Sequence, residues 1–184
     1  MTKSERMRIS QRPWSVPIAV SDVPETGRHL DLIADAHARA AIAKLAGLDA
    51  LPRFEASFDV MRHRRNGLRV VGHVSATVTQ TCGVTLEPMN SEIDEAIDLV
   101  FAPTAEPSPG AAAEIEVPLE DVPEAMVHGA VDLGAIATEF LILGIDPYPR
   151  KPGVVFQSPA AGDDSARPFA ALAALKRGPG RNER

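Results

Sequence analysis

The run "FEASFDVMRHRRNGLRVVGHVSATVTQT", residues 54–81, constrains the fold more than any other part of the chain. Phe54, Ala56, Phe58 and Val60 alternate with polar residues. After Asn66-Gly67 the same period of two resumes at Val70, Gly72, Val74, Ala76 and Val78. Successive side chains of a strand leave on opposite faces, so each half of the run has one apolar and one polar face. That is the pattern of long antiparallel strands covered on one side and wet on the other. Asn-Gly accepts the positive φ angles of a two-residue type I′ turn, which makes the run a hairpin. Continuing the alternation puts Gln80 and Cys82 on the Val74/Val78 face, with His73 on the other.

The remaining segments read as elements that flank this hairpin. "WSVPIAV", residues 14–20, is a short strand, and Pro17 points to an edge because it has no N–H for a ladder. "RHLDLIADAHARAAIAKLAGL", residues 28–48, predicts a helix. Its stripe is Leu30, Ile33, Ala34, His37, Ala41 and Leu45, and Gly47 stops it. "SEIDEAIDLVF", residues 91–101, fits either a short helix or a strand returning to the sheet, and the strand is preferred. "APTAEPSPGAAAE", residues 102–114, is a flexible linker. "IEVPLEDVPEAMVHG" reads as a short edge strand and a turn. "AVDLGAIATEFLILGID" predicts a second helix, with Asp132 as N-cap and Leu133, Ile136, Ala137, Phe140 and Leu141 as its stripe. The prolines of "PYPRKPG" end it.

The expected fold is therefore α+β: a mostly antiparallel sheet with a long central hairpin, and two helices packed on one face. One domain is expected over residues 13–155, after a flexible N-terminus at 1–12. A mostly disordered tail is expected at 156–184, where "RPFAALAALKRG" can form one short helix. With 45% apolar but only 4% aromatic residues, the core must be built from Val, Ile, Leu and Ala.

A single cysteine excludes an intramolecular disulfide. No stretch reaches the roughly 18–20 apolar residues that span a bilayer, and the basic N-terminus leads into no apolar run of a signal peptide. The expectation is a soluble cytoplasmic protein without a membrane partner.

The net charge of -6 is unevenly spread. Residues 1–86 carry 12 Lys/Arg against 8 Asp/Glu. Residues 87–149 carry 14 Asp/Glu and no Lys or Arg. Residues 150–184 carry 7 basic and 3 acidic side chains. The central block repels phosphate backbones and suits a basic protein partner, or serves only solubility.

Candidate chemistry is sparse. Cys82 as a nucleophile needs a base and an orienting group, and no motif supplies them; a lone cysteine after a strand also fits a small buried hydrophobe. A zinc site needs close Cys/His pairs, and Thr85 stands where a C-x-x-C partner of Cys82 would. No Gly-rich phosphate loop is present. The cluster Arg62, Arg64, Arg65 and Arg69 at the hairpin tip is either a finger for RNA phosphates or a solvated turn whose charges discourage edge pairing. Tyr148 and Arg150, around Pro149, offer a stacking ring and a cation, or the segment simply packs its Tyr on the core and ends a helix. No catalytic residue, metal or cofactor is assigned.

"TCGVTLEPM" after a valine-rich strand and "DLGAIATEFLILGIDPYPRKPG" farther on together resemble the YceD family, the large ribosomal RNA subunit accumulation proteins. The resemblance covers roughly residues 16–153. It departs from the family's C-x-R-C-L-E-P-like turn at Thr85, the place of the second cysteine, so any metal held by those cysteines elsewhere is not expected here. Cys82, Leu86, Glu87 and Pro88 remain as a structured corner. The resemblance implies a non-enzymatic role in 23S ribosomal RNA accumulation and large-subunit maturation. Its partners would be ribosomal RNA, a pre-ribosomal particle or a basic ribosomal protein.

Overall fold

The computed structural model of the chain describes residues 12–64, 66–103, 123–126 and 129–156. The chain divides into two units, Met1–Pro152 and Gly153–Arg184. In the first unit the hairpin forms from β3 (Ala50–His63) and β4 (Gly67–Thr81), antiparallel from Phe54↔Ala76 to His63↔Gly67. β5 (Pro88–Pro103) lies antiparallel along the other side of β4, so residues 91–101 are strand, the preferred reading. β2 (Arg28–Ile33) pairs with β3. β6 (Glu124–Met126) adds a short parallel edge to β5. The order is β2-β3-β4-β5-β6, antiparallel except at the last step. β1 (Pro17–Ala19) and β7 (Ala130–Asp132) make a separate two-stranded ribbon.

Helix α1 (Ala36–Ala46) packs on β3, and α2 (Leu133–Gly144) packs on β4 and β5. Phe54, Phe58, Val60, Val70, Val74 and Val78 from the sheet meet Ile42 of α1 and Leu133 and Leu141 of α2 in one core. Each such side chain, fully buried, contributes about 1.5–3 kcal/mol. Trp14 closes one side, edge-on to Phe54 with ring centroids 5.0 Å apart.

Asp132 caps α2 as the sequence predicts, accepting from the Ala135 amide at 3.3 Å. It also accepts from the Val16 amide, the Ser15 hydroxyl and Arg12, which ties the N-terminal segment to the helix. Burial opposes its charge, but these donors hold its proton affinity below the usual carboxylate range.

The structure corrects three expectations. Residues 28–33, read as the first turns of a helix, are β2. The helix starts only after Asp35, whose carboxylate caps the Ala38 amide at 2.7 Å. Its buried stripe is Ala38, Ile42 and Ala43, while Ile33, His37 and Leu45 are exposed. Leu30 and Leu32 fit a period of two, while Leu30, Ile33 and Ala34 fit one of 3.6, and pairing with β3 decides between them.

The hairpin turn is not a two-residue type. His63 pairs with Gly67, so residues 64–66 connect the strands, with Arg64 at φ 51. Gly67 is needed for space, because a Cβ there would lie 2.5 Å from the Phe101 carbonyl oxygen and 2.8 Å from that of His63. Finally, Ala102 and Pro103 belong to β5 rather than to a linker. The rest of that linker, nearly all of the N-terminus and the tail, Arg65 and His128 lie outside the described residues.

Candidate functional site: the corner joining Cys82 and Lys151

β4 and β5 are joined by residues 82–87 at the end of the sheet opposite the arginine tip. The Cys82 amide donates to the Glu87 carbonyl at 2.9 Å, and the Leu86 amide to the Cys82 carbonyl at 2.9 Å. Closing this turn puts Leu86 at φ 58, a left-handed conformation that side chains disfavour. Pro88 starts β5 opposite Thr81 and restricts Glu87 to extended backbone.

The segment after α2 packs against this turn. The Gly83 amide donates to the Pro149 carbonyl at 2.8 Å, and the Gln80 side chain to the Asp146 carbonyl at 2.9 Å. The Lys151 amide donates to Cys82 Sγ at 3.4 Å, and Lys151 Nζ reaches Glu87 Oε2 at 2.6 Å. Asp146 in turn accepts from the Tyr148 amide at 2.8 Å, shaping the chain as it leaves the helix. The two sequence segments that carry the family resemblance are thus clasped together.

The sulfur is the centre of the clasp. The Thr85 hydroxyl, the Thr85 amide and the amides of Lys151 and Val84 lie around it, and of these the Lys151 amide makes the hydrogen bond, at 3.4 Å. They draw its pKa down from 9.0 to about 6, against the opposing effect of burial. Donors aimed at a sulfur favour the thiolate, and the hydrogen bond from the Lys151 amide ties the turn to the segment after α2. Thr85, in the place of the missing second cysteine, is part of that set. The thiol is buried and no described histidine hydrogen-bonds it. Among the described residues no three His, Cys, Asp or Glu converge to hold a metal. Lys151 holds the Glu87 proton affinity down, with a smaller contribution from Thr85.

The other candidate residues lie apart from the sulfur. Leu86 and Tyr148 are 76% and 78% exposed, so Tyr148 does not pack on the core. Arg150 is exposed beside Lys151. The described arginines do not form one surface. Arg62 Nε donates to the Val23 carbonyl at 2.6 Å, and Arg69 makes a two-point ion pair with Asp98 at 2.9 and 2.7 Å on the sheet face away from the helices. Arg64 alone of the described three projects from the turn. Sequence reasoning misses Lys151, Thr85 and Asp146 as members of the corner. Lys151 lies inside "DPYPRKPG", but nothing local reveals that it meets Cys82.

A family model described as the large ribosomal RNA subunit accumulation protein YceD matches residues 70–176, more than half of the chain. The chain belongs to the YceD family. No curated protein and no solved structure matches it. The YceD match starts inside β4 and takes in the whole corner, β5, α2 and Lys151. It begins later than the resemblance drawn from sequence and runs on past residue 153. β1, β2, α1 and β3 lie outside it.

One further arrangement looks like chemistry. On the sheet face away from the helices, His29 Nδ1 lies 2.8 Å from Asp59 and its Nε2 lies 3.5 Å from Ser57 Oγ. However, the Ser57 hydroxyl donates to Asp31 at 2.8 Å. The hydrogen bond between His29 and Asp59, reinforced by the charge of Asp31, raises the His29 pKa, which favours the protonated ring over a general base.

Proposed function

We propose that this chain is a non-enzymatic factor that supports accumulation of 23S ribosomal RNA and assembly of the large ribosomal subunit. In this reading it works in the cytoplasm and acts by binding protein, RNA or a pre-ribosomal particle rather than by catalysis. The observation that carries the reading is the clasp at Cys82. The two segments by which the chain resembles its family meet at one hydrogen-bonded corner, where Leu86, Tyr148 and Arg150 are exposed. A buried sulfur that accepts from the Lys151 amide is engaged in structure, and exposed apolar and cationic side chains suit docking.

The test is sucrose-gradient sedimentation of lysates with and without the gene, following both the protein and the ribosomal RNA. The expected outcome is a shortage of large subunits and of 23S RNA on deletion, with the protein travelling near a precursor particle. A normal subunit profile with the protein only at the top of the gradient overturns the reading.

A second reading is favoured by the fate of the arginines: a chaperone for one basic ribosomal protein, without RNA contact. Arg62 and Arg69 are engaged within the protein on different sides of the sheet. Ribonuclease treatment separates the two, because association carried by protein survives it.

A further inference from the structure

Both helices cover one face of the five-stranded sheet, and the other face is left open among the described residues. The pairing register sets its side chains in rows. Ile33, Glu55, Ser75 and Asp94 lie abreast; then Asp31, Ser57, His73 and Ala96; then His29, Asp59, Val71 and Asp98. Glu92 follows at the far end beside Thr77, to which it is hydrogen-bonded. The face therefore holds six carboxylates against two arginines. Three of them, Asp31, Glu55 and Asp59, come from residues 1–86, whose net charge is positive. The split of charge along the chain does not survive folding.

The cations of this face are already engaged. Arg53 reaches Glu92 at 2.9 Å and Ser75 at 2.7 Å, and Arg69 is held by Asp98. His29 sits between Asp59 at 2.8 Å and Asp31 at 3.3 Å. The surplus is negative, which repels nucleic acid and attracts basic protein. Two shallow clefts open on the face. One, of about 300 Å³, lies between Ile33, Asp31, Glu55 and His73 and is the acidic one; the other, of about 580 Å³, is lined by Arg28, His29 and Arg69 as well as Asp59, Met61 and Val71. In the acidic cleft Ile33 is 73% exposed, which gives apolar contact for the aliphatic stem of a long cationic side chain.

We infer that the open sheet face is the docking surface for an extended, Lys/Arg-rich protein segment. The inference rests on the protein-partner reading above, and it moves the contact from the acidic block of the sequence to one face of the sheet. An extended occupant fits because same-face side chains along a strand repeat at about 7 Å, which is also the repeat of alternate side chains in an extended peptide. Glu92 and Asp94 follow that spacing along β5.

The test is a fluorescence anisotropy titration of the purified full-length protein. The probes are a dye-labelled 12-residue peptide of alternating Lys and Ala, its Glu/Ala counterpart and a 12-nucleotide single-stranded RNA. The Lys peptide is expected to bind, and to bind less well as salt rises. The pair Glu55→Lys with Asp94→Lys is expected to weaken binding at least tenfold. The pair Glu124→Lys with Glu139→Lys changes net charge equally but lies off this face, and should leave affinity within twofold. Equal weakening by both pairs, no weakening by the first, or preference for the RNA overturns the inference. No ribosome enters this assay, so its failure leaves the assembly reading standing. A normal subunit profile on deletion would refute assembly without touching this result.

Discussion

β4 ends in two different ways. At its start, the tip between His63 and Gly67 is local, and Arg62 and Arg69 beside it are engaged on different sides of the sheet. At its end, the corner at Cys82 is built by residues far apart in sequence, with Lys151 and Pro149 closing on Cys82 and Gly83. The tip is sterically tight but chemically dispersed. The corner is strained at Leu86 but chemically concentrated. The difference teaches that the charge-rich stretch most visible in the sequence is not where the fold gathers its long-range contacts.

Substitution at the tip should have the largest effect on stability. Gly67→Val drives a side chain into two backbone carbonyls that cannot step aside, and should cost about 3 kcal/mol. Urea unfolding measures it, and a loss below about 1 kcal/mol would mean that the tip yields more easily than its tight packing implies.

Second is the corner's sulfur. Cys82→Ser should lower Tm at neutral and higher pH, because a serine hydroxyl does not ionise there and offers the surrounding donors a weaker acceptor. The folded thiol titrates near 6 rather than at its ordinary 9.0. A depressed pKa contributes stability fully above the ordinary value, and that contribution is lost as pH falls toward 6. The Tm gap between wild type and Cys82→Ser should therefore narrow between pH 9 and pH 6. A gap that stays constant would show that the sulfur packs without carrying charge.

Third, Leu86→Gly should stabilise by about 1 kcal/mol, since glycine takes the left-handed conformation without strain. The same change should reduce comigration with precursor particles if exposed Leu86 is a docking contact, so stability and association move in opposite directions. The smallest effect is expected at Arg64→Ala, within about 0.5 kcal/mol on stability. A large loss of ribosomal association from that change would restore the tip as an RNA finger.

Much of this was legible in the sequence. The alternation in residues 54–81 gave the hairpin and its faces, and correctly put Cys82 inward and His73 outward. Asp132 and its stripe gave α2. β2 escapes local reading because Leu30, Ile33 and Ala34 satisfy a helical spacing, while Phe58 and Glu55, the β3 residues that pair with Leu30 and Ile33, lie 28 and 22 residues farther along the chain. The corner's parts were visible, but their meeting was not. A 69-residue separation between Cys82 and Lys151 leaves no periodic trace. The open acidic face was hidden for the same reason, since its rows are set by register between strands and not by order along the chain.

β4 has a further, mechanical consequence. It is the central member of the sheet, paired along its length on both sides, and it spans 15 residues. At about 3.3 Å per residue it is a stiff beam that holds the tip and the corner about 45 Å apart. A single small domain docked at one end cannot touch the other. Any ligand that feels both must be elongated, or must be two ligands, and the beam then fixes the distance at which they are presented to each other.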